Sequence, residues 1–256
     1  PATQYQVRKP LRRHRMRGTF YVNSGSVCTA SCESAWSMSW KQLAALAADG
    51  NEIGGHTLDH VDLTRRDIPR SEKRRQICAD RSKLAKRGFR PVSFAYPYGR
   101  HDATARSIVK KCGYTSARGA ARTAVAVESI PPRHPYGMSA QGHSGEIKLA
   151  VMQAEVRDAE AVRGGWVQLA FHGICRTRCG DGWVKPKTFR ALLDWLAKRE
   201  ARGTALDQAF RPVPDVGIEQ RTSSAKDEAD GRTASKCLAP SDELVEVRLA
   251  DLERLA

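Results

Sequence analysis

Two kinds of apolar segment alternate along this chain, and that alternation limits the folds open to it more than any single residue does. Short β-branched and aromatic runs predict strands: Gly18-Thr19-Phe20-Tyr21-Val22, Asn51 to Gly55, Pro91 to Tyr96, Tyr114 to Arg118, Val125 to Ile130, and Trp166-Val167-Gln168-Leu169-Ala170-Phe171. Segments of helical period lie between them. Ser39 opens one, Gln42 completes its capping box, Leu43, Leu46 and Ala47 form its buried stripe, and Gly50 stops it. Ser71 to Arg87 predicts a basic helix with Ile77, Cys78, Arg81 and Leu84 on one side. Asp102 caps a helix reaching Cys112, Glu146 to Val162 predicts a long one, and Pro186 starts another with Phe189, Leu192, Leu193 and Leu196 at 3.6 spacing. Strands separated by helices run parallel, so the fold class is α/β, either doubly wound or closed as a barrel. In both, reactive residues gather at the C-terminal ends of strands. His56, Tyr98 and His172 all follow strands at that end.

The densest of these positions is Asn51-Glu52-Ile53-Gly54-Gly55-His56-Thr57-Leu58-Asp59-His60. Two histidines four residues apart on a turn present both imidazoles to one side, which suits two ligands of one metal ion. A third ligand must come from elsewhere in the chain.

With 256 residues the chain can bury one good core. No apolar run approaches the ~20 residues that cross a bilayer, and Pro1 to Gln6 lack the apolar core of a signal peptide. Lys and Arg number 43 against 28 Asp and Glu, a formal net charge of +15. That balance favours anionic surroundings, but no helix-turn-helix, zinc-finger or RNA-binding signature makes nucleic acid a specific partner. Composition changes near residue 212. Residues 213–256 hold 6 Lys/Arg against 10 Asp/Glu, which predicts an acidic, flexible tail. Within it, Val245, Leu249, Leu252 and Leu255 have the spacing of a short amphipathic helix. Cys28/Cys32 and Cys175/Cys179 are spaced for local disulfides, with zinc binding as the alternative; Cys78 and Cys112 suit a third bridge, and Cys237 is left over.

Strand-HTLDH, then FAYPYG, then a strand ending LAFH, in this order, resembles the polysaccharide deacetylase family, the NodB-homology group of carbohydrate esterases. The likeness covers roughly Gly18 to Gly203. It implies a distorted (β/α) barrel and hydrolysis of acetyl groups from an acetylated polysaccharide, whether chitin-like, peptidoglycan or xylan. By the resemblance, His56 and His60 supply metal ligands for a divalent ion, Zn²⁺ or Co²⁺. Pro97 and Tyr98 line the groove, with the Tyr98 backbone N–H as oxyanion donor, and His172 is the general acid. The family's first motif, T-F-D-D-G, carries the base Asp and the third ligand on the first barrel strand. No such segment occurs here, and family order puts it ahead of Pro1. The expected barrel therefore lacks its first strand, and the strands on either side carry open edges. Neither Asp59 nor Asp62 has the motif position of a substitute. Many members carry Arg where Ala95 stands; Arg118, at the end of the next strand, is the candidate to orient the base instead.

The resemblance further implies a secreted or cell-wall-associated monomer without a transmembrane segment. A non-catalytic carbohydrate-binding remnant of the same fold is the competing reading, and a cytosolic Cys/His zinc protein a third. Of the other histidines, His14, His101 and His143 are expected to be solvated, while His134 is a candidate substrate contact. Trp36, Trp40, Trp183 and Tyr136 either stack on sugar rings or pack.

Overall fold

The computed structural model describes residues 2–27, 37–121, 127–162, 165–200 and 244–249. A 3-10 turn (Ala2–Val7) leads into α1 (Arg8–Arg13), and the chain then enters β1 (Gly18–Val22), buried at every position. Strands β2 (Glu52–Gly55) and β3 (Ser93–Ala95) are buried throughout as well. The helices α2 (Trp40–Ala48), α3 (Arg70–Lys86) and α4 (Ala103–Lys111) follow β1, β2 and β3 in turn. The Ser39–Gln42 capping box forms as predicted, and Asp102 accepts from the Ala105 N–H to cap α4. Gly50 and Gly113, at φ +87° and +90°, end α2 and α4 in the left-handed region where a side chain would strain the turn.

Next come β4 (Ser116–Ala121), the short β5 (Val127–Glu128), β6 (Met138–Gln141), α5 (Leu149–Ala161), β7 (Trp166–Phe171), β8 (Gly173–Ile174), β9 (Trp183–Val184) and α6 (Pro186–Glu200). The strands β1, β2, β3, β4, β6 and β7 pair in that order, all parallel. This is the curled, parallel-rich sheet of a distorted (β/α) barrel. Phe189, Leu192, Leu193 and Leu196 of α6 are buried in one cluster with Phe20, Leu169 and Phe171, and a second cluster fills the space between α3, α4 and β3. Among the described residues no helix is long and apolar enough to cross a membrane.

Two expectations are corrected. The gap between β1 and β7 is filled: β10 (Leu244–Leu249) pairs antiparallel with both, Val245 opposite Phe20 and Phe171, Val247 opposite Gly18 and Leu169. The segment holding Val245 and Leu249 is thus a strand, not a helix. Leu-Val-Glu-Val-Arg-Leu also alternates with period two, and two waiting strand edges decide between the patterns. Second, the buried face of α3 is Lys73, Gln76, Ile77, Asp80 and Leu84. Cys78 and Arg81 lie to its side, Cys78 bonded to Cys112 and the Arg81 guanidinium over the Tyr114 ring at 5.6 Å. Cys175 and Cys179 form the other described disulfide. Cys28, Cys32, Trp36 and Cys237 lie outside the described residues.

Candidate active site

At the C-terminal end of β2 the chain turns sharply. Thr57 and His60 have φ of 68° and 55°, and Tyr98, which follows β3, has 58°. Three non-glycine residues held in the left-handed region at one end of a sheet mark a segment over-determined by its surroundings. Those surroundings are specific. The Asn23 side-chain amide donates to the carbonyls of His56 and Thr57. The Gly25 N–H donates to Leu58 O at 3.0 Å, and a Cβ at Gly25 would lie 2.5 Å from that oxygen. From α3, Gln76 O accepts from the Leu58 N–H at 3.1 Å, while its side chain bridges the Asp59 N–H and carboxylate at 3.0 and 2.7 Å.

Asp80 is the hub of this support and was missed by motif reading. Fully buried on α3, it accepts from the N–H groups of Ser24 and His56, each at 3.1 Å, and lies 3.5 Å from the Tyr114 hydroxyl. Burial pushes its carboxyl up to about 7, opposed by those hydrogen bonds. One signal was available in the sequence. Asp80 is in helical phase with Ile77 and Leu84, so an acid sits on the apolar face of an otherwise basic helix. Gly55 belongs to the same arrangement, because a Cβ there would overlap the Tyr114 hydroxyl.

His56 is completely buried, with Nδ1 2.6 Å from Ala95 O and Nε2 in no hydrogen bond. The contact with Ala95 O assigns the proton to Nδ1 and leaves a lone pair on Nε2. Burial first, then the neighbouring His60, hold the imidazole well below its usual pKa, so it is neutral at pH 7. The His60 ring lies 4.8 Å from that of His56 and 4.7 Å from that of Tyr98. Tyr98 is 59% exposed on a tight turn whose Pro97 is buried, and Gly99 at φ +67° would drive a Cβ to 2.6 Å from Ala120.

Arg118 is the largest fully buried side chain, its guanidinium 4.8 Å from the Tyr21 ring centroid. Strand register sets it directly beside Ala95. Arg118 and His172 both act electrostatically on His56, so all three share one end of the barrel. His172 follows β7, its N–H donating to Gly182 O at 2.9 Å and its carbonyl accepting from Gln4 Nε2 at 2.9 Å. The structure thus brings together His56, His60, Pro97, Tyr98, Arg118 and His172.

A neutral imidazole with Nε2 available, beside a second imidazole, fits half of a zinc site. Among the described residues no cluster of three His, Cys, Asp or Glu completes it. Asp59 is bonded to Gln76, and Asp62 to Thr64 and, at 2.9 Å, to Arg100. His14, His101 and His143 are less solvated than expected. His14 bonds Pro10 O and Asp194, the His101 ring lies on Tyr96, and His143 pairs with Glu155. Trp183 is buried and Trp40 stacks on Phe89, so both pack. Tyr136 spends its hydroxyl on Tyr114 O.

The polysaccharide deacetylase family model matches residues 2–117, which include His56, His60, Pro97 and Tyr98 and end one residue before Arg118. No curated protein sequence matches the chain. Among solved structures it is similar to the Streptococcus pyogenes deacetylase PplD in complex with acetate, at 20% identity over 53% of this chain and 55% of that one, TM-score 0.44. It is also similar to a family 4 carbohydrate esterase from Streptomyces lividans in complex with acetate, at 17% identity over 79% and 82%, TM-score 0.44. A third is BA3943, a CE4 family pseudoenzyme from Bacillus anthracis, at 10% identity over 79% and 58%, TM-score 0.44. The chain therefore spans little more than half the length of the first and third of these.

Proposed function

We propose, from the match of residues 2–117 to the polysaccharide deacetylase family model, that this end of the barrel is the site of a metal-dependent hydrolase removing acetyl groups from polysaccharide. His56 and His60 hold the metal, with Zn²⁺ the best match to two imidazoles. The bound ion would polarise the acetyl carbonyl and lower the pKa of water. The observation that carries the reading is the buried, neutral His56, its Nδ1 committed to Ala95 O and its Nε2 left for a ligand. Tyr98 and Pro97 line the groove, and the Tyr98 N–H is the oxyanion donor. His172, half-buried beside the histidine pair, delivers a proton to the leaving nitrogen. Arg118 supplies a buried positive charge beside Ala95 that would orient a base carboxylate.

That carboxylate is not among the described groups around the histidines, so the 256-residue chain is proposed to bind metal and glycan with turnover near background. The same lack favours, as a second reading, a carbohydrate-binding role without catalysis. Two described disulfides support an oxidising, extracellular setting. Calorimetric titration with Zn²⁺ tests the site: His56→Ala and His60→Ala should each weaken binding by more than ~100-fold, since loss of even a supporting residue costs 10–100-fold. Unchanged affinity in both would overturn the assignment. Acetate release from chitooligosaccharides, abolished by His172→Ala, would make the chain an enzyme; glycan binding without release would favour the second reading.

A further inference from the structure

His172 is held from three directions by parts of the chain that the motifs leave unexplained. Its carbonyl accepts from Gln4 on the N-terminal 3-10 turn, and its N–H donates to Gly182. Gly182 also backs the ring: at φ +59°, a Cβ there would sit 2.5 Å from His172 Nδ1 and 3.4 Å from His143 O. The segment between Gly173 and Gly182 is shortened by the Cys175–Cys179 disulfide, whose sulfurs lie against Gly173, where a Cβ would come within 2.7 Å of Cys179 Sγ. On the other side Gly182 rests on the loop after β6. The Gly145 N–H donates to Asp181 at 3.0 Å, and the Trp183 N–H to Gly145 O at 3.1 Å. That loop is pinned in turn by His143, whose Nε2 is 2.9 Å from Glu155 Oε1 on α5. Glu155 is 5% exposed, so the acid of the pair is buried.

We propose that the disulfide-closed segment is a clamp that sets the orientation of His172, with Gly182 as its jaw and the buried His143–Glu155 pair as its second anchor. This rests on the reading of His172 as the proton donor. Gly182, Cys175, Cys179, His143 and Glu155 are then positioning residues, acting on the reaction only through the imidazole they hold. An acid must stay within hydrogen-bond reach of the leaving group through turnover. His172 lies just past the end of β7, where the clamp fixes its orientation.

The test is made on the full ¹⁵N-labelled chain, following exchange of the His172 amide and the imidazole nitrogen shifts. In Cys175→Ala/Cys179→Ala and in Glu155→Ala, His172 amide exchange should rise by ~10-fold or more while Val167 and Leu169 keep their protection, as local opening predicts. Glu155→Gln, which still accepts from His143, should stay close to the parent. Gly182→Ala should displace the imidazole signals of His172 while leaving those of His56 in place. Unchanged exchange and unchanged imidazole shifts in the disulfide and Glu155→Ala variants would overturn the clamp. If one of these variants loses β7 protection globally, unmoved imidazole shifts in Gly182→Ala would overturn it instead. Acetate release that survives His172→Ala removes the role assigned to His172 but leaves the clamp measurement intact, so the two failures are distinguishable.

Discussion

Asp80 shows how a single buried acid organises a mouth whose visible residues are histidines. Its carboxylate takes two backbone N–H groups, one after β1 and one at His56. Asp80→Ala would leave both buried and without this acceptor at ~1–3 kcal/mol each, so a loss of about 2–6 kcal/mol is expected in denaturant unfolding. Asp80→Asn, which keeps an acceptor, should cost less. Equal stability of Asp80→Ala and the parent would refute the hub role. The histidine pair itself was legible, because its spacing is local. Asp80 was not, because its partners lie 56 and 24 residues away.

At the scale of elements, α3 does most to hold the histidine turn. Its first turn carries Glu72, held down to about 2 by the Arg75 guanidinium and then by Gln76, the residue that grips Asp59. A depressed carboxyl contributes stability above its unfolded value of 4.5 and loses it as pH falls towards about 2. The parent should therefore lose more melting temperature across that window than Glu72→Gln does, and equal losses would count against the link. The far side of α3 is tied to the end of α4 by Cys78–Cys112, closing 34 residues. Removing that bridge in Cys78→Ala/Cys112→Ala should cost about 3–4 kcal/mol from the freedom returned to the unfolded chain, measured as a lower denaturation midpoint. Both helices were legible from period and caps. The buried face of α3 was not, since Cys78, Ile77 and Arg81 are equally consistent with a stripe until the neighbours are known.

For the whole molecule the decisive feature is β10. Six parallel strands leave β1 and β7 as edges, and an antiparallel strand from residues 244–249 pairs with both. Val247→Pro removes a main-chain donor in the middle of that strand and should lower the melting temperature, at a cost of about 1–3 kcal/mol. A melt identical to the parent would show that the closure adds nothing to stability. The sequence by itself determined five of the six parallel strands, the helices between them and the proximity of His56 and His60, because period, caps and four-residue spacing act within one element; β6 was not read from it, and the strand expected over residues 125–130 is the short β5, antiparallel to β7. Only the tertiary structure decided that Leu244–Leu249 is a strand, that Arg118 lies beside Ala95, and that Asp80, Gln4 and Gly182 hold the histidines. Those outcomes depend on which strand edges and buried N–H groups meet across the barrel, and no local pattern records that.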